Sequence, residues 1–190
     1  MIRNTDFGLL LMVMVGPAHA EDLDLQLVGT SPVFTEGFQR GWATGVAFQG
    51  DHAYVVAGSL QIIDVSNRTE LRRVATFGSG ADAVAVSGDY AYMVAGVSLE
   101  VIDISNPANP RQVGSYETGR RANNVTVSGD YAYVSQGAVG WQVIDVSDPA
   151  NPRLSSSIAS DGTARDVAFA GDYGYFVSAN DRFGLRVINV

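Results

Sequence analysis

The dipeptide Gly-Asp stands at 50–51, 88–89, 129–130 and 171–172, in steps of 38, 41 and 42 residues. Each time an apolar run follows: HAYVVAG, YAYMVAG, YAYVSQG, YGYFVSA. Upstream lie ATGVAFQG, ADAVAVSG, ANNVTVSG and ARDVAFAG, and downstream LQIIDVS, LEVIDIS, WQVIDVS and LRVINV. A passage written four times at that spacing marks stacked structural units, each burying its apolar faces against its neighbours. The hexamers NPANPR (106–111) and DPANPR (148–153) are then one loop of the second and third units.

Within a unit the apolar segments are short, rich in Val, Ile, Tyr and Phe, and bounded by Gly, Asp, Asn and Pro, which predicts strands. The 3.6-residue period of a helix is not sustained anywhere. Tyr90, Tyr92 and Val94 share one face at period 2, and Ala91, Met93 and Ala95 the other. Both faces are apolar, so both are expected to be buried. The second unit reads as strands over 82–86, 90–95, 99–104 and 111–116, with Gly-Asp suited to a tight hairpin turn. Four antiparallel strands in about 40 residues make the blade of a β-propeller. A β-sandwich is the alternative, but it does not require near-identical loops at a fixed period. The expected fold class is all-β, with blades at about 43–77, 81–116, 122–158 and 164–190.

Closure turns on a count of strands. LQLVGT (residues 25–30) resembles a fourth strand, whereas the last unit stops at its third, LRVINV. With 24–30 as closing strand a four-bladed ring is possible. The chain stops where SNPANPR would come next, which favours part of a six- or seven-bladed propeller whose isolated end, 185–190, is an unpaired apolar edge.

VIDISNPANPR and VIDVSDPANPR resemble the LVIVD repeat, and the resemblance covers residues 42–190. The first unit departs from it with SNRTELR, and the fourth with Asn189 for Asp. The family implies a β-propeller on a bacterial or archaeal cell surface, or secreted. It implies no reaction.

Residues 1–20 read as a signal peptide: Arg3, an apolar run over 7–15, then Ala18-His19-Ala20 before Glu21. The run is too short to span a bilayer, and no longer apolar run follows, so the mature chain 21–190 is expected to have no membrane span. The expected location is periplasmic, cell-surface or extracellular. With no cysteine, such a chain is held together by packing. Its net charge of −8, without a basic run, argues against nucleic acid as a partner.

Asp64, Asp103 and Asp145 share one slot, yet Asn189 fills it in the fourth unit, so an Asx-type turn explains them better than catalysis. His52 is the one histidine beyond residue 20, at the slot of Tyr90, Tyr131 and Tyr173. Neither a metal site nor a cofactor site is expected. Repeats that differ on one side direct attention there. The turns after strands one and three are uniform. The loop after strand two grows from AGS to AGVS, QGAVG and SANDRFG, the last bringing Asn180, Asp181 and Arg182. At the start of strand one, Thr44, Asp82, Asn123 and Arg165 share a slot, and Gly45, Ala83, Asn124 and Asp166 the next, with Trp42, Arg120 and Arg121 just before. These residues form the candidate binding face. The leading expectation is a non-catalytic propeller binding an envelope or extracellular protein or glycan. The alternatives are a hydrolase or lyase using Asp82, Asp166, Arg121 and Arg165 at the channel mouth, and a structural unit of the envelope.

Overall fold

The computed structural model describes Val28, residues 43–180, Arg182 and residues 184–190. The expected signal peptide, the closing strand 25–30 apart from Val28, Trp42 and Asp181 lie outside the described residues. So does the pairing of 25–28 with 185–188 on which closure of the ring would rest.

Among the described residues every regular element is a β-strand, and all pairing is antiparallel. The first unit holds β1 (Gly45–Gln49), β2 (His52–Val56), β3 (Gly58–Asp64) and the first half of β4 (Arg72–Ser87). The second takes the other half of β4, then β5 (Tyr90–Ala95), β6 (Ser98–Asp103) and β7 (Arg111–Glu117). The third has β8 (Asn124–Ser128), β9 (Tyr131–Ser135), β10 (Trp141–Asp145) and β11 (Arg153–Ile158). The fourth has β12 (Thr163–Ala170), β13 (Tyr173–Ala179) and β14 (Leu185–Asn189). Inner strands lie in series, β1 by β4, β4 by β8 and β8 by β12. This is the propeller arrangement, and it excludes the two packed sheets of a sandwich.

One boundary differs from the expectation. The first unit's outer strand runs on into the second unit's inner strand, giving a seven-stranded sheet in the order β1 to β7. Gly78 (φ 64°) and Gly80 (φ 71°) make the bend, a left-handed backbone open to glycine at little cost, so the ladder resumes beyond it. Glycines that read as chain breakers act here as a hinge within a strand. The sequence ETGRRANN has no such glycine pair, and the third unit begins a new sheet.

The Gly-Asp turns are two-residue hairpins with the glycine at φ 55–58°, the backbone a type II′ turn requires at its first central position. After each, a backbone bond closes the end of the unit: Val65, Ile104, Val146 and Val190 N–H donate to the carbonyls of Asp51, Asp89, Asp130 and Asp172.

The core lies between units. Tyr54, Val56, Leu60 and Ile62 pack on Val84, Ala91, Met93 and Ile102. The same slots one unit on, Tyr92, Val94, Leu99 and Val101, pack on Val125, Ala132, Val134 and Ile144. Between the third and fourth units the seam is aromatic: Tyr133 sits 4.5 Å from Phe169, and Trp141 5.2 Å from Phe176, ring centre to ring centre. Such pairs add about 0.5–1.5 kcal/mol beyond burial. Each middle strand therefore serves two seams, as its two apolar faces required.

Candidate functional site

Register fixes two rims. Gln49, His52, Asp64 and Arg72 pair at one end of the first unit, and Gly45, Val56, Leu60 and Phe77 at the other. The Gly-Asp turns and the NPANPR-type loops share the first rim. The loops after second strands and the approaches to inner strands share the second.

On the uniform rim the slot aspartates close Asx turns. Asp64 Oδ1 accepts Ser66 N–H at 3.0 Å and Ser66 Oγ at 2.6 Å. Asp103 does so with Ser105 at 2.9 and 2.6 Å, and Asp145 with Ser147 at 3.0 and 2.6 Å. Two of them also hold the arginine that begins the next strand: Arg72 on Asp64 at 3.3 Å and Arg111 on Asp103 at 2.9 Å. The serine hydroxyl and amide, then Arg72, bring Asp64 down to about 2. Asp103 and Asp145 are lowered by the same serine bonds first. These carboxylates do not share a site: among the described residues no three His, Asp or Glu side chains gather as a metal would need.

On the variable rim the predicted residues are linked across units. Asp82 lies on a β-bulge, between the pairs Ala81↔Ala95 and Ala83↔Val94. A bulge re-aims its side chain. Oδ1 of Asp82 accepts Arg121 Nη2 at 2.6 Å and Oδ2 accepts Gly96 N–H at 3.3 Å. Its carbonyl accepts Thr44 Oγ1 at 2.8 Å. One residue thus bridges three units. In the same way Asn124 Nδ2 donates to Asp166 Oδ1 at 2.7 Å, joining the third unit to the fourth. The two carboxylates are held in separate pairs.

The remaining candidates are not drawn into that chain. Arg165 occupies a second bulge, between Ala164 and Asp166, and is exposed. Arg120, Asn123, Asn180 and Arg182 are exposed on the same rim. Beneath Arg120 and Arg121 lies a polar frame that sequence reasoning missed. Buried Gln136 donates to the carbonyls of Thr118 (2.9 Å) and Arg120 (3.1 Å), and the one proton of buried Thr118 Oγ1 lies in reach of the carbonyls of Val97 (2.8 Å) and Arg120 (2.7 Å). The available signal was Gln136 itself, at the place of Ala57, Ala95 and Ser178 in the other units.

The rims differ in charge. The four Gly-Asp aspartates and the three slot aspartates lie on the uniform rim. Arg72, Arg111 and Arg153 stand among them, whereas Arg120, Arg121, Arg165, Arg182 and Arg186 lie on the variable one beside Asp82, Asp161 and Asp166, with Arg186 on Asp161 at 2.9 Å.

Four stacked antiparallel units with repeated turns and inter-unit cores define a β-propeller repeat protein. The chain belongs to the LVIVD-repeat family: the repeat matches residues 40–77, 78–118, 119–160 and 161–186. No curated protein matches it in sequence. Among solved structures it is similar to the computationally designed Ika4 protein, at TM-score 0.63 and 13% identity, over 80% of this chain and 94% of that one. It is also similar to the computationally designed Ika8 protein, at TM-score 0.61 and 14% identity, over 78% of this chain and 46% of that one. At these identities the likeness is one of fold.

Proposed function

We propose that this chain is an exported, non-catalytic β-propeller that binds an acidic protein or glycan of the cell envelope through its variable rim. The observation that carries this reading is that Arg120, Arg165 and Arg182 are exposed on that rim outside any ion pair among the described residues, whereas Arg72 and Arg111 on the other rim are held by Asp64 and Asp103. The Thr118–Gln136 frame supports it, because a pre-organised loop loses less entropy on binding. In a chain of net charge −8, arginines left outside ion pairs give this rim the cationic contacts that an acidic partner meets. The leader-like residues 1–20 support export.

The test is direct. Arg120, Arg165 and Arg182 are replaced together by Ala, and binding is measured to uronic-acid polysaccharides, to neutral polysaccharides and to cross-linked envelope proteins. The expected result is a salt-sensitive interaction with an acidic probe that falls at least tenfold in the triple variant. Binding that survives there but vanishes when 106–111 and 148–153 are replaced, without unfolding, places the partner on the other rim.

A further inference from the structure

Each seam between units uses the same slots, so an unfilled seam can be recognised by exposure. The third-strand residues Leu60, Leu99 and Trp141 are 0, 0 and 2% exposed, because each is covered by the following unit. Leu185, in that slot of the fourth unit, is 51% exposed. Its neighbours Val177 and Val187 are 45 and 54% exposed, where Val56 and Ile62 are fully buried. The first unit has the opposite deficit. Val84, Val125 and Val167 on the inner strands are 7, 3 and 5% exposed because they face the preceding unit, whereas Val46 is 46% exposed, and so is Phe48 two residues on.

The two deficits match along β1. Phe48 occupies the slot of Phe169, and Tyr175 that of Tyr133, the pair whose rings meet at 4.5 Å in the seam between the third and fourth units. We propose that the fourth unit's outer face is a docking surface for a second copy of this chain, which lays its first inner strand, β1, along it. Phe48 of that copy then stacks on Tyr175, and Val46 packs against Val177 and Leu185. Ala53, Val55 and Ile63 of the first unit are already buried in a cluster of their own, so the contact runs along β1 rather than over the whole sheet. A head-to-tail contact made at both ends closes two arcs on a two-fold axis; made at one end only, it gives open chains.

The inference does not depend on the variable rim. The protein is studied by sedimentation and light scattering, with an expected mass at micromolar concentration of twice that of the single chain. Leu185→Glu with Val187→Glu is expected to weaken the association at least tenfold with an unchanged far-ultraviolet spectrum. The absence of native cysteine makes cross-linking clean. Chains carrying Phe48→Cys, mixed with chains carrying Tyr175→Cys, are expected to be joined to each other by a short bis-maleimide, which spans the roughly 10 Å between facing sheets. A chain that stays monomeric at every concentration overturns the proposal. So does a dimer in which Tyr175→Cys chains cross-link only to each other, since that contact is face to face.

Discussion

The two rims of this propeller are built from the same strands and spend their polar residues differently. On the uniform rim the slot aspartates bond within their own unit: Asp103 takes Ser105 two residues on and Arg111 eight residues on, although Gln49 there donates to the carbonyl of Gly88 in the next unit. On the variable rim a polar side chain bonds to another unit: Asp82 takes Arg121, 39 residues away, and Asn124 takes Asp166, 42 away. Local bonds can be copied in every repeat, because each unit carries both partners. Bonds between units can change one seam at a time, because both partners can be exchanged together, as Asp82–Arg121 and Asn124–Asp166 differ. Part of the sequence variation on the second rim therefore has a structural cause. Arg120, Arg165 and Arg182 are exposed and lie outside these bonds, and they are the residues proposed to meet a partner.

The largest expected effect tests how closely the uniform rim is fitted. Gly114 in β7 lies under the DPANPR loop, and a Cβ there would overlap the carbonyl oxygen of Pro149. The loop is backbone at that point and has little room to move. Gly114→Val is expected to cost about 2–3 kcal/mol, as overpacking does. Ser156 holds the same register place in the third unit, opposite Val143 as Gly114 is opposite Val101, and is exposed. Ser156→Val is expected to change stability by less than about 0.5 kcal/mol. Chemical denaturation of the two variants measures the contrast, and equal costs would mean that the loop does not brace the neighbouring unit.

A smaller effect comes from acid. Asp64 is held at about 2, and Asp103, Asp145 and Asp148 are lowered by their hydrogen bonds. A depressed carboxyl stabilises the fold above its unfolded value of about 3.9, and that contribution is lost as pH falls through the folded value. The uniform rim is therefore expected to weaken between about pH 4 and 2. Melting temperatures are compared at pH 6, 4, 3 and 2 for the native chain and for Asp64→Asn/Asp103→Asn/Asp145→Asn. Asn accepts the same turn bonds through its Oδ1, and the lost ion pairs involve Arg72 and Arg111 side chains that are mostly exposed, worth little. The triple variant should start close to the native value at pH 6 and fall less steeply. An equal slope would place the acid sensitivity elsewhere.

What was legible in the chain follows the same division. The strands, the II′ turns and the Asx role of Asp103 depend on residues within about ten positions, where period and turn chemistry speak directly. The two-faced burial of 90–95 was legible for that reason. The partner of Asp82 was not, because it depends on how the third unit sits against the second. Nor was the repeated bulge in the outer strands, between Ile62 and Ile63, Val101 and Ile102, and Val143 and Ile144 on their partners, which only the register exposes. The run-on of β4 is not legible, because Gly78 and Gly80 look alike in a loop and in a bent strand. Gln136 shows the remaining gap: a buried amide in a variable loop reads as surface until its carbonyl partners are placed.

The smallest effect asks how free the variable rim is. Its loops differ in length and side chains, yet each opens on one residue with a left-handed backbone: Gly58 at φ 74°, Gly96 at 58°, Gly137 at 60° and Asn180 at 61°. Asn180 is the one non-glycine at positive φ among the described residues. Asparagine tolerates that conformation through its short polar side chain, and other L-residues lose about 1–2 kcal/mol there. Asn180→Gly is expected to be neutral within about 0.5 kcal/mol, since glycine has no Cβ to clash and only its greater unfolded-state freedom opposes it. Asn180→Ala is expected to cost about 1 kcal/mol, although it removes only an exposed amide. Urea denaturation of the two variants separates these outcomes. If alanine is as well tolerated as glycine, the loop has no fixed backbone to protect. If alanine is costly, variation on this rim is a change of side chains carried on a backbone turn that every unit keeps.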